Sequence, residues 1–233
     1  MTTFNGFGKQ ALPFLKALDF HQDRDWFKAN KALYESELET PRGDLVEALT
    51  EAFAMNGIAL KGDRKKSVYR IYRDVRFAKD KSPFNKHVSA LLTPSGQKNE
   101  AEGCFFIKVG LEECFMAIAY YMPPPEELKA YRNSIVTWPE KFRDMVKALN
   151  KGGLELGTDD ALKRLPKDFD TITEPDLQAA VKLKHFYVRE DIDPARVMEP
   201  GLVDDCVGFV KRAMPLLEWG TSSSTASSGY IKT

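Results

Sequence analysis

The hydrophobic period of the chain changes twice, and these changes constrain the fold more than any other feature of the sequence. Up to about residue 56, apolar residues recur at helical spacing. From about Ser67 to Met122 they alternate with polar residues, and after Pro123 the helical spacing returns. Helical spacing gives a helix one apolar stripe, whereas alternation gives a strand one apolar face. We therefore predict an α+β fold, with a central antiparallel sheet of about four or five strands and N-terminal and C-terminal helices packed on it.

The N-terminal part, residues 8–56, predicts three helices. Asp23 is placed to cap the second of them. The apolar stripe of this second helix is formed by Trp26, Ala29, Leu33 and Tyr34. The third helix is expected to begin at Thr40-Pro41, where proline is tolerated, and to end at Asn56-Gly57.

The sheet is predicted to occupy residues 67–122. A first strand would bury one face and expose the other, and the residues predicted for its buried face are Tyr69, Ile71, Arg73, Val75 and Phe77. A second strand is expected from about His87 to Thr93, and residues 104–109 and 114–122 are typical of a hairpin. Apolar residues on both sides of this hairpin indicate that both of its faces are covered, by helices or by a partner chain.

The C-terminal part, residues 125–219, predicts helices that begin near Glu126, Trp138, Glu174 and Val203, with a short strand at residues 185–188. Residues 221–233 form a Ser/Thr-rich tail that we predict to be disordered. Residues 1–220 would then form a single domain, since 233 residues suffice for one large hydrophobic core.

The composition excludes several classes of protein. The three cysteines, Cys104, Cys114 and Cys206, do not form a Cys-x-x-Cys pair, which argues against a disulfide framework and a zinc ribbon. The N-terminus lacks the layout of a signal peptide, and no apolar run approaches the ~18 residues of a membrane span. We therefore expect a cytoplasmic protein without a membrane segment.

One segment, residues 61–87, is strongly basic although the whole chain has no net charge. It contains ten lysines and arginines against three acids. Because Arg73 falls on the predicted buried face, its guanidinium must have a partner. One reading supplies a phosphate or carboxylate ligand, and the other supplies an internal carboxylate such as Asp25 or Asp74.

The first reading gives a candidate site for an anion-binding protein. Its predicted ligand-binding residues are Arg70, Arg73, Arg76, Lys79, Lys81 and Lys86. Its acid/base candidates are Asp74, Asp80 and His87, should the protein be an enzyme. The second reading makes the chain a structural or protein-interaction module that contains an ion-pair network. The sequence leaves both open, and it leaves self-association open as well.

Other kinds of chemistry find less support. The three histidines lack partners at metal-ligand spacing, so no metal is predicted and the cofactor is unknown. Gly57 and Gly62 have the spacing of a phosphate loop, but Asp63-Arg64 stand where Lys and Ser/Thr are required. The mixed basic and aromatic residues 182–187 are only weak support for nucleic-acid binding.

Several motifs together resemble one family of bacterial and fungal proteins, the domain of unknown function 2461. They are Asp23-Arg24-Asp25-Trp26-Phe27-Lys28-Ala29-Asn30-Lys31, the run from Arg70 to His87, Tyr121-Met122-Pro123 with Leu128 and Arg132, and Arg164-Leu165-Pro166-Lys167-Asp168-Phe169-Asp170. The resemblance covers about Phe14 to Trp219. Residues 117–120 depart from it, because the family pattern has a glycine-rich turn there. The resemblance implies no particular activity.

Overall fold

The computed structural model describes residues 3–98 and 102–228 and has the predicted α+β architecture. The helices are α1 (Ala11–His21), α2 (Arg24–Ala29), α3 (Lys31–Tyr34), α4 (Thr40–Met55), α5 (Pro125–Thr137), α6 (Pro139–Lys151), α7 (Pro175–Val181) and α8 (Leu202–Ser228). The strands are β1 (His87–Leu92), β2 (Cys104–Gly110), β3 (Cys114–Tyr120) and β4 (Phe186–Asp191). They form one antiparallel sheet in the order β1-β2-β3-β4. None of the helices in this part of the chain combines the length and the apolar character that crossing a membrane requires.

The second predicted helix is divided in the structure. Asp23 caps α2 as predicted, because its carboxylate accepts the Trp26 N–H at 2.7 Å. However, α2 ends after six residues, and α3 continues through a π-helical turn, Glu35–Glu39, into α4. The predicted apolar stripe is therefore partly wrong: Phe27 is buried, Trp26 is half-buried and Leu33 is exposed.

Contacts along the chain divide it into two compact units. The first consists of residues 1–100, 105–116 and 190–208, and the second of residues 101–104, 117–189 and 209–233. The expectation of a single domain remains a prediction.

In the first unit, the pairing of β1 with β2 sets which side chains share a face. His87 pairs with Gly110, and Leu92 pairs with Phe105. The Phe105 ring contacts Phe53 of α4, with ring centroids 5.4 Å apart. The face that carries Leu92 and Phe105 therefore lies under a helix, and its residues are buried.

The opposite face of β1 and β2 is only half-covered. It carries His87 and Ser89 from β1 and Phe106 and Lys108 from β2. Phe106 and its neighbour Phe115, whose ring centroid lies 5.7 Å away, are both half-buried. The helices of the described chain do not fully cover this face, and its cover by a partner chain stays a prediction.

In the second unit, aromatic rings from two helices and a strand surround Trp219 of α8. Tyr131, Phe142 and Phe186 have ring centroids within 5.7 Å of Trp219. These residues form a core because α5, α6, β4 and α8 each contribute one large apolar side chain.

The predicted disordered tail is wrong for residues 221–228, which continue α8. The Ser223 hydroxyl is buried, donates to the Ser134 hydroxyl at 2.8 Å and lies 2.8 Å from the Trp219 carbonyl oxygen. Hydroxyl groups therefore find partners on neighbouring backbone and side chains, which composition alone does not reveal. Residues 229–233 lie outside the described part of the chain.

Candidate functional site

The basic segment does not form the predicted first strand. Its start pairs briefly with β1, since Leu91 N–H donates to the Ser67 carbonyl at 2.8 Å and Tyr69 N–H donates to the Ser89 carbonyl at 3.1 Å. The chain then leaves the sheet and folds back on itself. In this folded-back loop, residues 70–86, Asn85 N–H donates to the Ile71 carbonyl at 2.8 Å.

Two residues anchor the folded-back loop in the core. Ile71 and Phe84 are buried, and Gln22 binds the Phe84 backbone twice, accepting its N–H at 3.1 Å and donating to its carbonyl at 3.3 Å. At the tip of the loop, Phe77 is 96% exposed. The alternating pattern thus overstated burial, because Ile71 is the only residue of the predicted buried face that reaches the core.

Two clefts lie along this loop, and both belong to the first unit. The first, which we call the aromatic cleft, has a volume of about 490 Å³ and is lined by Tyr69, Arg70, Tyr72, Arg73, Asp74, Asn85, His87, Ser89 and Phe106. The second, the charged cleft, has a volume of about 260 Å³ and is lined by Arg73, Asp80, Phe84, Asn85, Lys86, His87, Lys108, Gly110, Leu111 and Glu112. Arg73, Asn85 and His87 line both.

The linings of the two clefts together include six of the nine site residues predicted from the sequence. Arg70, Arg73 and Asp74 line the aromatic cleft, and Asp80, Lys86 and His87 line the charged cleft. The other three lie outside both linings, and they are Arg76, Lys79 and Lys81.

Arg73 is half-buried and paired within the chain. One nitrogen of its guanidinium, Nη1, donates to Asp80 at 2.6 Å and to the Ser82 carbonyl at 3.0 Å. Hydrogen bonds from the Ser82 hydroxyl and backbone N–H, and from Arg73, hold the pKa of Asp80 well below its usual range. The internal carboxylate expected for Arg73 exists, but it is Asp80 rather than Asp25 or Asp74.

Most of the other predicted cations also have internal partners. Arg76 binds Asp74 through Nε and Nη2, Lys86 lies 2.8 Å from Asp19, and the Lys81 ammonium donates to the Val75 carbonyl at 3.0 Å. By contrast, the side chains of Arg70 and Lys79 are exposed and make no hydrogen bond or ion pair with other described residues, although Arg70 interacts electrostatically with Asp74.

The three acid/base candidates differ in charge state. Arg76 lowers the pKa of Asp74, and Asp80 is held ionised as described above. The pKa of His87 is also lowered, by burial and then by the nearby Lys108, and for a base this favours the uncharged form. At neutral pH His87 is therefore uncharged and can accept a proton, whereas the two carboxylates are poor proton donors.

Sequence reasoning missed the contribution of β2. Lys108 lines the charged cleft and pairs with Glu113 at 2.9 Å, and Phe106 lines the aromatic cleft. Their alternation with Phe105 and Ile107 along β2 would have placed both on one face.

A buried arginine, also missed, fixes the floor of the aromatic cleft. Arg42 of α4 is 3% exposed, and its Nη1 donates to the Tyr69 carbonyl at 2.7 Å. Lys98 holds the preceding peptide, donating to the Val68 carbonyl at 2.6 Å, and its ammonium lies 4.9 Å from the Tyr69 ring centroid. Two cations thus immobilise the backbone where the loop leaves the sheet.

The structure also places the residues considered for other chemistry. The three cysteines are free and buried, and burial raises the pKa of Cys104 to about 12, which suits an inert thiol. Within residues 3–98 and 102–228, no three His, Cys, Asp or Glu side chains are grouped so that they could hold a metal ion.

Comparison with known proteins identifies one family. The family described as "Conserved hypothetical protein (DUF2461)" matches residues 10–219, which include the whole candidate site and all of the extent predicted from the motifs. No curated protein and no solved structure matches the chain. Because the match covers most of the sequence, the chain belongs to the DUF2461 family of conserved hypothetical proteins.

Proposed function

We propose that this protein binds a small ligand with a phosphate or carboxylate group in the aromatic cleft. The observation that carries the proposal is Arg70. Its guanidinium is exposed, lines a cleft of about 490 Å³ and has no ion-pair partner among the described residues. A cleft of that size is within the range that small-molecule sites occupy, and a guanidinium binds phosphate or carboxylate oxygens in a bidentate manner.

The charge balance favours the aromatic cleft over the charged cleft. Every cation in the charged cleft is paired, since Arg73 binds Asp80, Lys86 binds Asp19 and Lys108 binds Glu113. In the aromatic cleft, Arg73 is paired with Asp80 and Asp74 is paired with Arg76. Arg70 makes no ion pair there, although it interacts electrostatically with Asp74. An anion therefore meets a net positive potential in the aromatic cleft.

Arg73 and His87 have separate roles in this proposal. Asp80 and Ser82 fix the position of Arg73, so it can orient an anion without losing much side-chain entropy. His87, uncharged at neutral pH, offers a hydrogen-bond acceptor at the wall shared by the two clefts. Should the ligand be a substrate, His87 is the residue that we assign as the general base.

The same arrangement argues against an extended polyanion as the partner. Nucleic-acid backbones are bound by rows of uncompensated cations, which release counterions. Here Arg76, Lys86 and Lys81 are engaged within the chain. A single anionic group at Arg70 fits the site better.

A second candidate function is a structural or protein-interaction module. The ion pairs Arg73–Asp80, Arg76–Asp74 and Lys86–Asp19 favour it, as do the half-buried rings of Phe106 and Phe115. These ion pairs are largely exposed and would contribute little to stability. They therefore explain the charge pattern only in part, and they leave Arg70 without a role.

Binding of simple anions to two matched variants tests the proposal. Inorganic phosphate and citrate would be titrated against the wild type, Arg70→Ala and Lys79→Ala, with calorimetry and thermal melts as readouts. Lys79 is a suitable control because it is also an exposed cation of the loop without a partner among the described residues, but it lies outside both clefts.

We expect phosphate or citrate to stabilise the wild type and Lys79→Ala but not Arg70→Ala, while all three have similar melting temperatures without ligand. Equal losses in the two variants would indicate nonspecific attraction to a basic loop. If no anion stabilises the wild type, the structural module is the better account.

A further inference from the structure

We propose that the ligand of the aromatic cleft carries a planar ring beside its anionic group, as a nucleoside monophosphate does. This inference rests on the proposed function, because it assumes that an anion is bound at Arg70. It goes further by naming the chemistry of the rest of the ligand. The cleft, at about 490 Å³, is much larger than a phosphate group alone requires.

The wall of the cleft is formed by exposed aromatic rings, which are costly to leave in water. Tyr69 is 40% exposed and Tyr72 is 46% exposed, and Phe106 lines the same cleft. Contiguous exposed apolar surface of this kind marks ligand or partner sites more often than single exposed residues do. Planar rings stack on such surfaces, and every nucleobase offers a flat face that can do so.

The rings are held in place from behind, unlike ordinary surface aromatics. Tyr72 packs on Phe27 and Phe84, with ring centroids 5.6 Å and 5.2 Å away. Tyr69 packs edge-on against Phe106 at 6.2 Å. Since these rings are already ordered, a planar ligand can stack on them without the entropy loss of fixing free side chains.

The backbone beneath Tyr69 is fixed as well. The buried Arg42 donates to the Tyr69 carbonyl at 2.7 Å, and the Lys98 ammonium lies over the Tyr69 ring. The peptide groups before and after the exposed Tyr69 are thus each held by a cation. This is the arrangement expected of a prebuilt binding wall.

Polar groups in the cleft match the edge of a heteroaromatic ring better than a purely apolar one. Asn85 carries an amide, Ser89 a hydroxyl and His87 an uncharged imidazole. Together they supply both donors and acceptors, as the ring nitrogens and exocyclic groups of a nucleobase require. Arg70 and Arg73 take the phosphate, so one ligand satisfies both halves of the cleft.

The same chemistry could come from a free mononucleotide or from the terminal nucleotide of a single strand. We therefore test binding with inorganic phosphate, ribose 5-phosphate, adenosine, AMP, CMP and a short single-stranded oligonucleotide with a 5′-phosphate. The proteins are the wild type, Tyr72→Leu, Tyr72→Phe and the control Phe77→Leu. Phe77 is exposed, belongs to the same loop and lies outside both clefts.

We expect AMP or CMP to bind the wild type at least about tenfold more tightly than ribose 5-phosphate does. Tyr72→Leu should remove that advantage and leave the affinity for ribose 5-phosphate unchanged, whereas Tyr72→Phe and Phe77→Leu should keep it. Melting temperatures without ligand would show whether Tyr72→Leu remains folded. Should it not, Tyr69→Leu replaces it in the same comparison.

The outcomes separate this inference from the proposed function. Equal affinities for AMP, CMP and ribose 5-phosphate would overturn the inference that the ligand carries a planar ring, and would leave the proposal of anion binding intact. If Arg70→Ala loses all binding and the wild type binds AMP or CMP more tightly than ribose 5-phosphate, the inference and the proposed function are both supported. Tighter binding of the oligonucleotide than of AMP would identify a strand end as the source, and equal binding would identify a free nucleotide. If neither phosphate nor any nucleotide binds, the inference and the proposed function both fail.

Discussion

Two phenylalanines of the folded-back loop should respond very differently to truncation. Phe84 is 1% exposed and Phe77 is 96% exposed, although both belong to the same loop. Phe84→Ala removes a buried ring that stacks on Phe27 at 4.6 Å and packs on Tyr72 at 5.2 Å. It also leaves a cavity beneath the loop, because the Gln22 hydrogen bonds hold the backbone in place.

The expected magnitude follows from these contacts. Burial of a phenylalanine ring and the cavity left by its removal correspond to about 3–5 kcal/mol, and two aromatic contacts place Phe84→Ala near the middle of that range, at ~4 kcal/mol. Phe77→Ala should change the free energy of unfolding by less than ~0.5 kcal/mol, since its ring is already in water. Phe84→Leu, which keeps most of the volume, should cost less than ~1.5 kcal/mol.

Urea denaturation followed by circular dichroism measures all three variants. With a urea dependence of about 2–3 kcal/mol per molar, Phe84→Ala should lower the midpoint by more than ~1 M, and Phe77→Ala should leave it unchanged. A loss below ~1 kcal/mol for Phe84→Ala, or similar losses for both phenylalanines, would refute the folded-back loop and restore the strand that the alternation predicts.

Further predictions concern the last helix and the pH dependence. Ser223→Ala should destabilise by about 1–2 kcal/mol because it leaves the buried Ser134 hydroxyl without its partner, whereas the double variant with Ser134→Ala should recover much of the loss; urea melts of the three variants check this. Deleting the residues after Gly220 should destabilise for the same reason, contrary to what the polar composition predicts, and thermal melts measure it. Since burial lowers the pKa of His87 in the folded state, the unfolded state takes up its proton first as the pH falls below ~6.5, and stability is lost there. His87→Gln should therefore lose less stability than the wild type between pH 7.5 and 5.5, and an equal loss in unfolding experiments at the two pH values would contradict the shift.

Much of the fold could be predicted because its helices and hairpin rest on local signals. Asp23 caps α2, Asn56-Gly57 ends α4 and Pro139 opens α6, as residue types at helix ends indicate. The hairpin of β2 and β3 also forms at the predicted turn. The last helix was predicted too short, because the partners of Ser223 come from a distant helix.

The candidate site was predictable only in part. The basic run identified the loop, but alternation could not distinguish a strand from a loop that folds back, since that choice depends on Gln22 binding Phe84 from 62 positions away. For the same reason Arg73 was predicted to be buried, whereas it lies at the wall between the two clefts. Alternation along β2 indicates that Lys108 shares a face with Phe106, but it does not reveal the cleft that Lys108 lines. The contact of Arg42 with the Tyr69 carbonyl likewise depends on tertiary placement.

A crystal structure of the protein with millimolar phosphate at low salt tests the central claim most directly. The account predicts phosphate in the aromatic cleft with oxygens about 2.7–3.2 Å from the Arg70 guanidinium, and with the Arg73–Asp80 ion pair intact. An aromatic cleft without phosphate, in a crystal where Arg70 pairs with a carboxylate or where phosphate binds only elsewhere on the chain, would contradict it.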